Sequence, residues 1–459
     1  MSTSVDHRLP RSWTIAQIAD LAEINPRLGK SDIDDGIEVS FVPMPAVEAG
    51  NGRIDVTATR RFSEVKKGYT PFREGDVLFA KITPCMENGK MAVVPALHSG
   101  LGFGSTEFHV LRPKDGVSGQ FLYYYVSSQK FRFDAEHNMT GAVGQRRVPT
   151  TYVAEYPIHL PPSAEQRRIV AKIEELFSEL DKGVESLTTA REQLKAYRQS
   201  VLNKAVIGEL AGSLSFPSRP LSTVVEELGQ GWSPRCLNHP SADDEIWAVI
   251  TTTAIQHGAF REEENKQLPE DLEPRPNLSI RAGDILITRA GPRKRVGVAC
   301  LVRYCRPRLM LCDKAYRLRA DTSQVIPEWL ELLLNSPSIL QEIEELKTGI
   351  SDSGVNLTQN RFLALDIPVP TLAEQQAVLK VVDSLVSQIA NLETQIETAM
   401  QQSDVLRRSV LKRAFSGHLV PQDASDEPAS VLLERIRAGQ DEGSTKKRRH
   451  YKSGGRNAA

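Results

Sequence analysis

The chain has little cysteine: five residues in 459, namely Cys85, Cys236, Cys300, Cys305 and Cys312. An odd number at irregular spacing excludes a disulfide framework and points to a reducing compartment, so a cytoplasmic protein is expected. No Cys-x-x-Cys pair exists and no histidine pair stands at zinc spacing, so no metal site is expected. Nowhere do 18 apolar residues run together, which excludes a membrane-spanning helix. The first residues, MSTSVDHRLPRSW, lack the apolar core of a signal peptide. Neither sign of charge is in excess, with Lys plus Arg 57 against Asp plus Glu 58. Any surface for a polyanion must therefore arise from local clustering and not from net charge.

What is present is a chain written twice. The segment 158–166 reads IHLPPSAEQ and 367–375 reads IPVPTLAEQ, an offset of 375 − 166 = 209. Ser200-Val201-Leu202-Asn203-Lys204-Ala205 returns as Ser409-Val410-Leu411-Lys412-Arg413-Ala414, again at 209, and Gly208 and Leu210 return as Gly417 and Leu419. Upstream, Gly75-Asp76-Val77-Leu78 parallels Gly283-Asp284-Ile285-Leu286, and Thr140-Gly141 parallels Thr348-Gly349, both at 208. Each copy is thus a diverged half followed by a closely repeated half. A single repetition with a period near 200 is a domain duplication and not a solenoid, whose periods run about 20–50 residues.

The closely repeated halves have the pattern of long helices. Ile173, Leu180, Leu187, Leu194 and Val201 are seven apart, with Leu176, Gly183, Ala190 and Tyr197 three residues after the first four. The second copy places Val382, Ile389, Ile396, Ser403 and Val410 on one line and Leu385, Leu392, Ala399 and Leu406 on the other. Such a seam predicts a coiled coil. Both helices begin with Ala-Glu-Gln after a proline-bearing segment and end near a glycine, Gly208 or Gly417. At 1.5 Å per residue, about 45 residues span roughly 65 Å. The economical burial of both seams is mutual, as an antiparallel pair, with Gly183, Ala190 and Ala399 allowing close approach.

The diverged halves, 12–157 and 217–366, are rich in short β-like runs broken by Gly, Pro and Asn: 37–42, 76–82, 91–94 and 108–111 in the first, 247–251, 284–288, 297–302 and 315–319 in the second. Apolar helices are predicted over 120–127 and 328–335. Between 289 and 319 lie Arg289, Arg293, Lys294, Arg295, Arg303, Arg306, Arg308, Lys314, Arg317 and Arg319, against one acid, Asp313. The first copy has a weaker set, Lys81, Lys90, Arg112, Lys114, Arg146 and Arg147. Such a stripe is the footprint expected for phosphate contact; the alternative, a solvated face, is weakened by its recurrence after the same Gly-Asp strand in both copies. Arginine can fork to guanine and Asn or Gln can pair with adenine. The candidates in loops are Gln145, Arg146, Arg147, Gln256, Arg289, Arg293, Lys294, Asn356 and Gln359.

These motifs resemble the specificity subunit of Type I restriction–modification systems. The likeness rests on Pro-x-x-Ala-Glu-Gln at 161–166 and 370–375, on the Ser-Val-Leu-x-x-Ala stretch that closes each helix, on the Gly-Asp-[Val/Ile]-Leu strand, and on ITTTAIQHG at 250–258. That last stretch has Thr251 where the family usually has Arg. The resemblance covers about residues 10–420. It implies an α+β chain of two target recognition domains, 1–160 and 216–369, separated by spacer helices at 161–215 and 370–420, with a partly disordered tail at 421–459. It implies that each domain reads half of a bipartite double-stranded DNA site, and that the helices fix the unread gap. Partners would be two modification subunits, carrying S-adenosylmethionine, and two restriction subunits, using ATP and magnesium. This chain would bind no cofactor and catalyse nothing. Under that reading Lys81, Lys90, Thr252, Arg295 and Lys314 join the DNA-binding candidates, while Ile173, Leu180, Leu187, Leu194, Val201, Val382, Ile389, Ile396, Leu406 and Val410 pair the helices.

Three rival readings account for less of the sequence. An autonomous methyltransferase needs an Asn/Asp-Pro-Pro-aromatic motif, and Leu160-Pro161-Pro162-Ser163 lacks both flanking types. Gly100-Leu101-Gly102-Phe103-Gly104 has glycine spacing without a surrounding βαβ unit. A nuclease could use Glu345-Leu346-Lys347, but no partner acid stands at a suitable position. A coiled-coil scaffold carrying two ligand-binding domains fits the helices but not the basic stripes.

Overall fold

The computed structural model describes residues 9–29, 33–142, 144–212, 215–349 and 351–439. The chain divides into two compact units, Met1–Ser186 with Ala399–Ala459, and Leu187–Thr398.

In the first unit an antiparallel sheet runs in the order Ala22–Ile24, Phe108–Pro113, Val77–Ala80, Met91–Val93. The strand Val77–Ala80 is buried along its whole length, which its unbroken apolar run requires, because both faces are covered. Side chains alternate across a strand. Val77 and Phe79 pack with Phe121 and Phe131 of the helices Gly119–Ser127 and Gln129–His137. Leu78 and Ala80 pack with Val42 and Phe72 of a second sheet. In that sheet a Cβ on Gly102 would lie 2.0 Å from the Phe72 ring. Gly102 and Gly104 therefore seat an aromatic ring, and Gly102–Gly104 is a strand.

The second unit repeats the plan. Its sheet runs Val225–Gln230, Ala315–Ala320, Ile285–Thr288, Ala299–Leu301. Ile285 and Ile287 face Trp329 and Leu330 of the helix Pro327–Leu334, while Leu286 faces Val249 and Met310. The central registers match: Val77 opposes Leu111 and Phe79 opposes His109, as Ile285 opposes Leu318 and Ile287 opposes Tyr316.

The two long helices are Ser163–Ile207 and Leu372–Phe415. Beyond each stands a left-handed glycine, Gly208 at φ 96° and Gly417 at φ 76°, a conformation that only glycine adopts without a Cβ penalty. Within each unit the helices pair antiparallel. In the first, Arg407 bonds Asp181 and lies 4.8 Å above the Phe177 ring. In the second, Arg198 stands 3.8 Å from Glu393.

Ile173, Val201, Val382, Ile389 and Ile396 are buried in the seam. Leu180, Leu187, Leu194 and Val410 are half-buried. On the other predicted line Leu176, Ala190, Leu385 and Ala399 are half-buried, but three residues depart from expectation: Leu406 is 52% exposed, Tyr197 50% and Leu392 45%. Gly183 faces open space and brings no helix close. A straight helix drifts about 20° per heptad from a 3.5-residue repeat, so a strict heptad line does not stay on the seam along its whole length.

Residues 429–439 form a further helix whose Ala429, Leu432, Leu433 and Ile436 are buried in the first unit's core. The Ala429 N–H donates to the Ser12 carbonyl at 2.9 Å, and Arg437 pairs with Asp20 at 3.0 Å. This stretch thus caps its own domain. The basic run at 446–449 lies outside the described residues. All five cysteines are free, and burial pushes the Cys300 thiol up to about 12 and Cys312 to about 11. Among the described residues no helix is long and apolar enough to cross a membrane, and no group of three or more His, Cys, Asp or Glu is arranged to hold a metal.

Candidate nucleic-acid interface

The repeated motifs build one frame in both units. In the Gly-Asp strand, Asp76 accepts Arg112 through both carboxylate oxygens at 2.8 and 2.7 Å. It also accepts the Arg73 N–H at 2.8 Å. Asp284 accepts the Arg319 Nε at 3.0 Å and the Arg281 N–H at 2.9 Å. Both acids are almost wholly buried.

The Gln of each Ala-Glu-Gln is fully buried. Gln166 Oε1 accepts the Ser118 N–H at 3.0 Å, and its amide donates to the Pro161 carbonyl at 3.1 Å. Gln375 does the same with Ile326 at 2.8 Å and Pro370 at 2.8 Å. This glutamine ties the first turn of each helix to its globular domain, a role that spacing alone did not reveal. The neighbouring acids differ. Glu165 accepts the Trp13 Nε1 at 2.9 Å and the Gln422 amide at 2.6 Å, and burial raises its pKa. Glu374 is only half-buried and bonds Thr371, which holds its pKa down.

On this frame each unit carries one hairpin. The central strand leads into Lys81 in the first and Arg289 in the second. The Lys81 N–H donates to the Glu107 carbonyl at 2.9 Å, and the Arg289 N–H to the Lys314 carbonyl at 2.8 Å. The Val148 and Leu357 N–H groups return to the carbonyls of Lys81 and Arg289 at 2.9 and 2.7 Å. The hairpin opens at the repeated Thr-Gly: Thr140 pairs with Arg147, and Thr348 with Asn356. Gly141 has φ 120° and Gly349 φ 123°. A Cβ there would lie 3.0 Å from the Gln145 carbonyl oxygen and 2.5 Å from that of Gly354. The glycine is required by the sharp turn at the hairpin mouth.

The hairpins differ in charge. In the first unit Gln145 is exposed, Arg146 stands 4.0 Å from Glu87, and Arg147 forks onto Glu107 at 2.7 and 2.9 Å. The Arg147 hydrogen bonds hold Glu107 below the usual carboxylate range. Lys81 is half-buried and makes no side-chain hydrogen bond among the described residues. In the second unit Arg289 donates to the Asp313 carbonyl at 2.7 Å and lies 5.5 Å above the Tyr316 ring. Arg293 is held by Glu344 at 2.5 Å and by Asp352 at 3.1 Å. Lys294 and Lys314 are exposed, with no hydrogen bond or ion pair from their ammonium groups among the described residues. Asn356 and Gln359 are exposed beside them.

Several candidates belong to the scaffold. Lys90 donates to the carbonyls of Met44 and Val47 at 3.2 and 2.9 Å. Arg295, Thr252 and Gln256 form one internal cluster, in which the guanidinium donates to the carbonyls of Thr252 and Ile255 and to Gln256 Oε1. Arg306 and Arg317 are buried; Arg303 pairs with Glu331 at 2.6 Å and Arg308 with Glu245 at 2.8 Å. The expected ten-residue basic stripe is therefore not one phosphate-facing surface. Acids distant in sequence, Glu227, Glu245, Glu331 and Asp284, neutralise it in space. Glu107 was not singled out in the sequence; its equivalence to Lys314 emerges from the structure, where the Lys81 and Arg289 N–H groups bond their respective carbonyls.

The second unit also carries a groove of about 1300 Å³ between its globular domain and its helix segments. Leu202, Leu332, Leu340, Leu379 and Val386 line its floor, with Arg198, Arg303, Glu328 and Asp383 on the rim. At the equivalent positions in the first unit, Tyr124 packs edge-on against Phe177 with centroids 5.8 Å apart, and Arg407 covers Phe177.

Comparison with known proteins bears on this arrangement. The profile of the Type I restriction modification DNA specificity domain matches residues 10–189. The chain is 29% identical to the Type I restriction enzyme EcoEI specificity subunit of Escherichia coli, over 86% of this chain and 81% of that one. A chain in a solved structure of a type I R-M system is similar with TM-score 0.69 and 21% identity, over 90% of this chain and 100% of that one. The HsdS subunit from Thermoanaerobacter tengcongensis is similar with TM-score 0.60 and 21% identity, over 90% and 98%. These two structures share the fold described above.

Proposed function

We propose that this chain, which is similar to Type I restriction–modification specificity subunits, is one of them: it reads a bipartite DNA sequence, one half with each recognition domain, and contributes no chemistry of its own. One observation carries the reading. Two domains share a buried frame down to individual hydrogen bonds, yet present hairpins of different charge. A frame that is repeated while its exposed tips diverge suits two different half-sites read by one fold. Phosphate contacts set register and base-edge contacts set sequence. Lys81, Lys294 and Lys314 are assigned to phosphate, and the hairpin side chains Gln145, Arg146, Arg147 and Asn356 to the groove.

In this reading the helices are the spacer that sets the unread gap. Inserting a whole turn in both is expected to change gap length and leave the half-sites as they are. The unit-two groove and the exposed Tyr197, Leu392, Val405 and Leu406 offer apolar surface to partner subunits. Two modification subunits would carry S-adenosylmethionine, and two restriction subunits would use ATP and magnesium.

The test is co-expression with a modification subunit in a methylation-free host, followed by mapping of modified adenines. Two short specific parts around a fixed gap are expected. An assembled complex that adds no methylation would overturn the reading in favour of a scaffold.

A further inference from the structure

We propose that Arg147, gripped by Glu107, reads a guanine in the half-site of the first recognition domain; the assignment rests on the DNA-reading function above. A guanidinium has five N–H donors. Glu107 takes two of Arg147's, from Nε at 2.9 Å and Nη2 at 2.7 Å. The Gln145 carbonyl takes a third, from Nη1 at 3.0 Å. One N–H remains on each terminal nitrogen, the pair that can fork to O6 and N7 of guanine in the major groove. The Arg147 side chain is 42% exposed even in this grip.

Two consequences follow from the acid. First, the ion pair carries no net charge, so Arg147 is a poor clamp for phosphate, whose attraction is chiefly electrostatic. What it retains is directional, and direction is what base edges read. Second, an arginine already fixed in one rotamer loses less side-chain entropy when it meets DNA. Its setting points the same way. Arg147 closes the hairpin opened by Gly141, and its N–H bonds the Thr140 carbonyl at 2.8 Å. Lys81 pairs through Ile82 with the same hairpin and can supply phosphate attraction. The second unit lacks the device, because Lys314 stands at the position of Glu107 and Arg293 is held by two acids.

The experiment compares the methylated motif of the assembled complex for the wild type, Arg147→Ala and Arg147→Lys. The lysine variant keeps the charge and cannot fork. Both are expected to relax one G·C position in one half-site by about 5- to 150-fold, the range for a bidentate base contact, while the other half stays unchanged. An unchanged motif overturns the assignment. So does a wild-type motif without any G·C pair, or a uniform weakening with a salt slope reduced by about one, which marks a phosphate contact. Unfolding of both variants would place Arg147 in the scaffold and overturn it equally. A wild-type complex that yields no split motif overturns the DNA-reading function itself, whereas a split motif indifferent to both variants overturns only the role of Arg147.

Discussion

In the first unit Asp76 grips Arg112, and in the second Asp284 grips Arg319, but just before the same strand stands Glu107 in one and Lys314 in the other. The fully buried positions agree, and the one that reaches solvent, half-buried in Glu107 and exposed in Lys314, reverses sign. Gln166 and Gln375 extend the agreement, fully buried and bonded to equivalent backbone groups. Glu165 and Glu374 extend the contrast, one fully buried and the other only half-buried. A buried polar group must keep its partners because an unmet one costs full desolvation, whereas an exposed charge is free to change with what it meets. Shared contacts therefore mark the frame, and reversed ones mark the surface where the domains do different work.

The largest effect that can break this comparison is loss of the buried acid. Asp76→Ala and Asp284→Ala are each expected to cost roughly 3 kcal/mol in urea unfolding, the low end for a broken buried pair because both arginines reach solvent. Equal losses support a common frame; a silent variant in one domain breaks it. Next, Gln166→Ala and Gln375→Ala each strand a backbone N–H and a carbonyl, and a loss of about 1–3 kcal/mol is expected from each by the same measurement. The surface comes third. Lys81→Ala and Lys314→Ala are each expected to lower the slope of log affinity against log salt by about one without altering either half-site, as read by DNA titration at several salt concentrations.

The smallest effect is a pH dependence found in one domain only. Because Arg147 depresses the folded pKa of Glu107 below its ordinary 4.5, the contribution is complete above pH 4.5 and is lost as pH falls through the depressed value. Glu107→Gln is expected to remove this acid limb, worth under about 1 kcal/mol for a pair so open to water. Urea midpoints between pH 3 and 7 would show it, with Lys314→Ala as the control.

Much of the architecture was legible in the residues. The offsets of 208 and 209 revealed the duplication, and the Gly-Asp strand, the Thr-Gly hairpin mouth and the glycine stops all stand where the repeat put them. One line of the heptad, Ile173 and Val201 with Val382, Ile389 and Ile396, is buried as its spacing requires. The second line was misread at Tyr197, Leu392 and Leu406, since periodicity states which residues share a face and not whether a neighbour covers it. The basic stripe failed for a related reason: Arg303, Arg308 and Arg317 are neutralised by Glu331, Glu245 and Glu227, residues 28, 63 and 90 positions away.

What this sequence determines by itself is local and repetitive: two copies, their helices, their central strands and the turns that only glycine can make. Those follow from backbone sterics and apolar period, which act over a few residues and recur wherever the pattern recurs. Which charge meets which was decided only by the tertiary structure. Coulomb attraction and hydrogen bonding act across a few ångströms of space, and Glu107 reaches Arg147 across 40 residues of chain because the sheet and the hairpin close upon each other.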